Sequence, residues 1–311
     1  MAGACHAADS AWVELPPLPE PNGGFVCGVF DDQIVVVGGT RWEGGTKHWL
    51  DAIRVFDVKH NTWRDAGRLA APLAYAAAGQ SAQSLWFSGG TSGIGTHTSL
   101  WMLGRDFEIH AVGPTGLHVV SCASALLDGG LVVIGGLAGS GANETATNAC
   151  HLISTSSGKS RRIAHLPASS LISAAAVACG GRVFVFGGAR WDAASKNLVN
   201  VASTFAWSAQ RDAWETLAPG PLAVRGAAAI ALDEHRIYLA GGYLSDSDSF
   251  TAAAHVFDTR TGDFRAATPL PYRAMATLVK CGGFLYCLGG EDQKQHRTSA
   301  VWRIRIEDTV P

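Results

Sequence analysis

The sequence predicts an all-β chain built from six similar four-stranded units. Three observations predict it. A short, β-rich apolar run ending in two glycines occurs six times. The copies are nearly evenly spaced. Glycine is abundant, at 37 of 311 residues, well above the usual ~7%. That level disfavours long helices and supplies many turns.

The copies are Ile34–Gly39, Leu85–Gly90, Val132–Gly136, Val183–Gly188, Ile237–Gly242 and Leu285–Gly290, with second glycines 51, 46, 52, 54 and 48 residues apart. A fixed period of this length marks a repeat architecture. Before each run lies a small-residue strand, as in Ala227–Asp233 or Ser173–Gly181. After it come a polar loop and a third strand, as in Ile53–Asp57 and His255–Asp258. A fourth strand carries Trp63 in the first unit and Trp214 in the fourth; the second and third units lack the tryptophan, and Phe264 replaces it in the fifth. Gly, Asn, Asp and Pro join the strands as turn residues.

The last unit reads as three strands, Ala276–Gly282, Phe284–Gly289 and Ala300–Ile306. Its missing fourth strand is expected at the front, in Ala11–Pro19, where Trp12 matches Trp63 and Trp214. One sheet unit cannot bury both its faces, so it needs neighbours, and a closed ring gives every unit two. One domain over 1–311 is therefore expected, without linkers. Its units run 20–70, 71–115, 116–167, 168–220, 221–270 and 271–307, with 10–19 as outer strand of the last.

The double glycine, the aromatic-then-Asp pair and the Trp ahead of Leu-Pro resemble the kelch repeat. The resemblance covers nearly the whole chain. It implies a six-bladed β-propeller, in which four-stranded blades circle a central channel and the N-terminal strand completes the last blade.

Composition narrows the function. Lys+Arg is 24 and Asp+Glu 26, a net charge of -2, so a nucleic-acid partner is not expected. Hydrophobic residues make up 47% and charged residues 16%, enough for a buried core. No apolar run approaches the ~18 residues of a membrane span. Met1–Ser10 has neither a basic end nor an apolar stretch, so no export signal is expected and a cytoplasmic location is. The seven cysteines lack a CxxC pair. Buried free thiols in a reducing compartment are the expectation, with disulfides or metal binding as the alternatives.

Antiparallel connections put the post-glycine loops and the loops leading into each first strand on one face. Ligands bind such loop faces. Polar and aromatic residues there include Asn22, Tyr75, Asn143 and Tyr272. Two loops repeat an Arg-Trp pair, Arg41-Trp42 and Arg190-Trp191. Each pair offers a planar fork for carboxylates and an apolar face for a sugar ring; equally, the indole caps the sheets and the arginine is solvated. Arg225 and Arg273 directly precede inner strands and are expected at the channel mouth.

The segment Gly289–Trp302 contains Glu291, five further residues, then Arg297-Thr298-Ser299-Ala300-Val301-Trp302. It resembles the motif of the sialic acid mutarotases, the N-acetylneuraminate epimerase family. The resemblance implies Glu291 and Arg297 as the active pair, acting on an acidic sugar without cofactor or metal. In that chemistry Glu291 removes a proton from the anomeric hydroxyl. Arg297 favours its ionised form and grips the substrate carboxylate, with Arg225 or Arg273 assisting. His118 and His296 are candidate proton shuttles. The chain has no HxH or HExxH pattern, and the glycine-rich Ser88–Thr96 lacks a P-loop lysine and reads as a turn. The alternative is a non-catalytic scaffold that binds a protein or peptide partner on the same face.

Overall fold

In the computed structural model, residues 11–139 and 144–310 are described. Asn143 and Met1–Ser10 lie outside them. Among the described residues strands dominate, and the helical element is one 3-10 turn, Ile306–Thr309.

Six four-stranded antiparallel sheets follow one another along the chain. In the first, Val26–Phe30, Gln33–Glu43, Thr46–Asp57 and Thr62–Arg68 pair in sequence order. The second contains Ala77–Gln80, Leu85–Ser88, Ser99–Leu103 and Ile109–Pro114. The third contains Ala123–Leu127, Gly130–Ile134, Cys150–Ser154 and Ser160–Ile163. The fourth contains Ala175–Cys179, Arg182–Phe186, Thr204–Ser208 and Ala213–Leu217. The fifth contains Ala228–Ala231, Arg236–Ala240, Ala254–Asp258 and Phe264–Ala267.

The sixth sheet joins Met275–Cys281, Phe284–Glu291 and Val301–Arg305 to the N-terminal Val13–Glu14, with Val13 opposite Arg303 and Glu14 opposite Trp302. The pairing continues past that short strand. Leu15 N–H donates to Val301 O at 2.9 Å and Leu18 N–H to Ser299 O at 2.8 Å.

The repeated glycines have a common task. Both glycines of every pair have positive φ, for example 65° and 110° at Gly38 and Gly39. The second donates its N–H to a carbonyl of the chain entering the next sheet. The bonds run from Gly39 to Leu73, Gly90 to Val119, Gly136 to Leu171, Gly188 to Val224, Gly242 to Ala274 and Gly290 to Asn22, at 2.7–2.8 Å. The first glycine lies under that same carbonyl. A Cβ at Gly38 would come within 2.2 Å of Leu73 O, and one at Gly289 within 2.5 Å of Asn22 O. Only glycine satisfies both the conformation and the close approach, so the motif staples one sheet to the next.

The tryptophans do the same at the outer edge. Trp63 Nε1 donates to Pro16 O at 3.0 Å, Trp214 Nε1 to Ala164 O at 2.8 Å and Trp12 Nε1 to Pro269 O at 2.8 Å. Each acceptor follows the outer strand of the neighbouring sheet. Between sheets the core is apolar. Val132, Ile134, Val183, Val185, Phe205 and Trp207 form one such layer, and burying each such side chain stabilises by about 1.5–3 kcal/mol. The six first strands, short and rich in small residues, pack side by side; Val26–Phe30 meets both Ala77–Gln80 and Met275–Cys281. No helix among the described residues is long and apolar enough to cross a membrane.

Candidate functional site

The residue after each double glycine has a fixed cross-hairpin neighbour. Thr40 pairs with Trp49, Thr91 with Thr96, Leu137 with Ala146, Ala189 with Asn200 and Tyr243 with Phe250. In the sixth sheet Thr298 N–H donates to Gly290 O at 3.0 Å. That register sets Glu291 and Arg297 beside each other. The two meet at 2.9 Å, with the arginine side chain 5% exposed and the glutamate 25%.

A second ring comes from the loops entering the first strands. Gly24, Tyr75, Ser121, Ser173 and Gly226 all have positive φ, between 51° and 72°. They are chained by backbone bonds: Tyr75 N–H to Gly24 O at 2.8 Å, Ser121 to Tyr75 at 3.1 Å, Ser173 to Ser121 at 2.8 Å and Gly226 to Ser173 at 2.7 Å. The sixth sheet departs from the pattern with a bulge between Met275 and Thr277. These rings enclose a cavity of about 280 Å³ whose lining includes Tyr75, Ser121, Ser173, Met275, Glu291 and Arg297. It lies below the usual ~300–1,000 Å³ of ligand pockets.

Tyr75 is the bulky member of that ring, in a conformation that costs such a residue about 1–3 kcal/mol. Its hydroxyl accepts a bond from Arg297 Nη2 at 3.1 Å and lies 3.3 Å from Thr40 Oγ1. Lys47 places its ammonium 4.6 Å from the Tyr75 ring centre and 4.7 Å from that of Trp49. Burial alone would push the phenol up. The charges of Arg297 and Lys47, with hydrogen bonds from Lys47 and Thr40, outweigh it and hold Tyr75 below the ordinary tyrosine range. The sequence places Tyr75 on the loop face but gives no sign of this role; a tyrosine where four other units carry Gly or Ser is the available signal.

Arg297 is held through its two terminal nitrogens, while its buried Nε has no hydrogen-bond partner among the described residues. Besides Glu291 and Tyr75 it donates to His296 O at 3.2 Å. His296 itself turns outward, its Nδ1 2.5 Å from Asp292 Oδ1. Arg225 lines an adjoining hollow with Tyr243, Asp246 and Glu291. It donates to Asn200 Oδ1 at 2.9 Å and stacks 4.3 Å from the Tyr243 ring. Arg273 is exposed, without a side-chain hydrogen bond or ion pair among the described residues, and lines neither cavity.

The two Arg-Trp pairs part company. Arg41 is tied to Glu20 at 3.3 Å and Glu43 at 2.6 Å, and Trp42 lies against Lys47. Arg190 bonds Asp192 at 3.2 Å on a projecting hairpin, Ala189–Asp192 with Asn197–Asn200, and Trp191 is 48% exposed. His118 is exposed and bonded to Thr96 at 2.8 Å. In Ser88–Thr96 the chain turns, Ser92 N–H donating to Gly95 O at 2.9 Å, and leaves Ile94 fully exposed. Among the described residues no group of three or more His, Cys, Asp or Glu could hold a metal ion. Cys27, Cys122, Cys150, Cys179, Cys281 and Cys287 are free thiols.

Comparison with known proteins agrees with this geometry. The kelch motif matches residues 21–69, the whole of the first sheet. Kelch-like protein 35 of Mus musculus is 31% identical over 141 residues, 45% of this chain and 22% of that protein. Kelch-like protein 34 of Homo sapiens is 30% identical over 105 residues, 32% of this chain and 16% of that protein. The matched region thus spans under a quarter of the length of either relative. Motif and relatives together support a kelch-repeat family for this all-β chain.

Proposed function

We propose that the chain is a six-bladed kelch propeller that serves as a non-catalytic scaffold, binding a protein or peptide partner on its post-glycine loop face. The six sheets are its blades, and Val13–Glu14 closes the ring. The observation that carries the scaffold reading is the exposure on that face: Trp191 at 48%, on the Ala189–Asp192 hairpin strand, and Ile94 at 100%, in the Ser92–Gly95 turn. A protein partner covers such side chains, and aromatic residues are favoured in interface cores. The likeness to two kelch-like proteins points the same way. The free thiols are in keeping with a reducing, cytoplasmic setting.

The test is affinity capture with wild type and with a Trp191→Ser/Ile94→Ser variant. A stoichiometric protein partner, lost in the variant while thermal stability is kept, is the expected result. A partner held equally by both, or none that saturates, overturns the reading.

A second reading is a mutarotase acting on an acidic sugar such as N-acetylneuraminate. It is favoured by the meeting of Glu291 and Arg297 on the channel cavity. Against it, each group spends its charge on the other. NMR of freshly dissolved N-acetylneuraminate decides: anomer exchange faster than buffer, and lost in Glu291→Gln, would replace the scaffold reading.

A further inference from the structure

The channel mouth holds one group that a scaffold does not need. We propose that the Tyr75 hydroxyl is a proton-accepting site facing the channel, for a small molecule that carries a hydroxyl group. The inference goes beyond the protein-binding role and does not depend on it.

Three features of the geometry carry it. First, two cations from different sheets converge on one phenol. Arg297 donates to its oxygen at 3.1 Å, and the Lys47 ammonium stands 4.6 Å from its ring. Second, the groups around it favour a negative oxygen. Lys47 and Thr40 come from the first sheet and Arg297 from the sixth; Gly24 contributes only backbone. Among the described residues no carboxylate is bonded to Tyr75, and Glu291 bonds Arg297 on its other edge. Third, Tyr75 holds a strained φ of 58° where four other units use Ser or Gly without a bulky side chain. Strain of this kind persists where surrounding structure enforces it, and it collects at functional sites. The ring is thereby set in the wall of the cavity of about 280 Å³, room for a molecule the size of a single sugar ring.

The proton balance is simple. The ionised Tyr75 oxygen takes the proton of the ligand hydroxyl, so one O–H bond breaks and another forms. The negative charge passes from Tyr75 to the ligand oxygen and stays beside the same two cations.

The chain has five tyrosines, and Tyr238, Tyr243, Tyr272 and Tyr286 are all held above the ordinary range, chiefly by burial except at Tyr243, where the bond to Asp246 dominates. Ultraviolet titration of the folded protein should therefore show one phenol ionising ahead of about pH 10, the free-tyrosine value. That transition should vanish in Tyr75→Phe and move upward in Lys47→Met. Nitration of wild type with tetranitromethane, which attacks accessible phenolates, supplies an independent reading that needs no variant. Tyr75 should be nitrated before Tyr243, although Tyr243 is close to the surface. Absence of an early transition, its survival in Tyr75→Phe, or nitration of Tyr243 ahead of Tyr75 would each overturn the proposal.

Discussion

Between Gly24 and Tyr75 on one side of the cavity and Ser121, Ser173 and Gly226 on the other, the backbone is the same and the side chains are not. All five residues share a positive φ and one chain of backbone bonds. The near side adds Thr40, Glu291, Arg297 and Lys47; the far side adds Thr91, Leu137, Ala189 and Tyr243 in the slots after the double glycines, with Arg225 stacked on Tyr243. The near side also holds the seam where the two ends of the chain meet, with indole bonds from Trp12 and Trp63 flanking the sixth sheet. The repeat thus builds a common frame, and the Glu291–Arg297 ion pair and the pairing of the N-terminal strand with the sixth sheet lie in one sector of it.

The largest test of that asymmetry removes the seam. Deleting residues 11–18 takes away Trp12, Leu15 and Leu18, all buried, and the pairing with Val301–Arg305. At about 1.5–3 kcal/mol for each buried side chain, the loss rivals the ~5–15 kcal/mol of a whole domain. The truncated chain should show no cooperative thermal transition by circular dichroism. A retained sharp transition would mean that the seam is not structural.

The shared frame should instead respond equally on both sides. Gly38→Ala puts a Cβ 2.2 Å from Leu73 O, and Gly187→Ala puts one 2.4 Å from Val224 O. Each combines a wrong φ with a backbone clash, so a loss of about 3 kcal/mol or more is expected in urea denaturation at either site. A large difference between the two would show that the staples are not equivalent.

Arginines at the mouth should separate the sectors again. Arg297→Met strands Glu291 and empties three hydrogen bonds, a loss of about 3 kcal/mol. Arg225→Met removes one bond to Asn200 and a ring contact, about 1 kcal/mol. Comparable losses would erase the distinction between a buried ion pair and an open rim.

How much of this is legible in the sequence differs between frame and site. The double glycines announce the sheets because a backbone clash leaves no alternative residue. Trp12 announces the closing strand because it repeats Trp63 and Trp214. The Glu291–Arg297 contact is legible because both lie on one hairpin six residues apart. Tyr75 is not, since its partners Lys47 and Arg297 come from separate sheets, Arg297 lying 222 residues away. The two Arg-Trp pairs are identical as text. They separate because Glu20 and Glu43 hold Arg41 down, while an Asp192–Ser195 turn carries Arg190 and Trp191 outward.

The smallest effect expected concerns pH, and its sign follows from Tyr75 being held below its unfolded range. Such a group adds stability that is fully present above the unfolded value, about 10, and is lost as pH falls through its folded value. The other four tyrosines are raised, so they act oppositely and oppose folding as pH rises past 10. Wild type should therefore lose stability in alkali, but less steeply than Tyr75→Phe, which keeps the opposing groups and lacks the favourable one. Urea midpoints measured from pH 8 to 11 should diverge in favour of wild type as pH increases. At the low end of that range Phe keeps the same backbone strain and loses only the hydroxyl's bonds to Arg297 and Thr40, so the two proteins should lie within about 1 kcal/mol of each other. Parallel curves across the whole range would place Lys47 and Arg297 too far from the hydroxyl to matter, and the two sides of the mouth would then differ in shape alone.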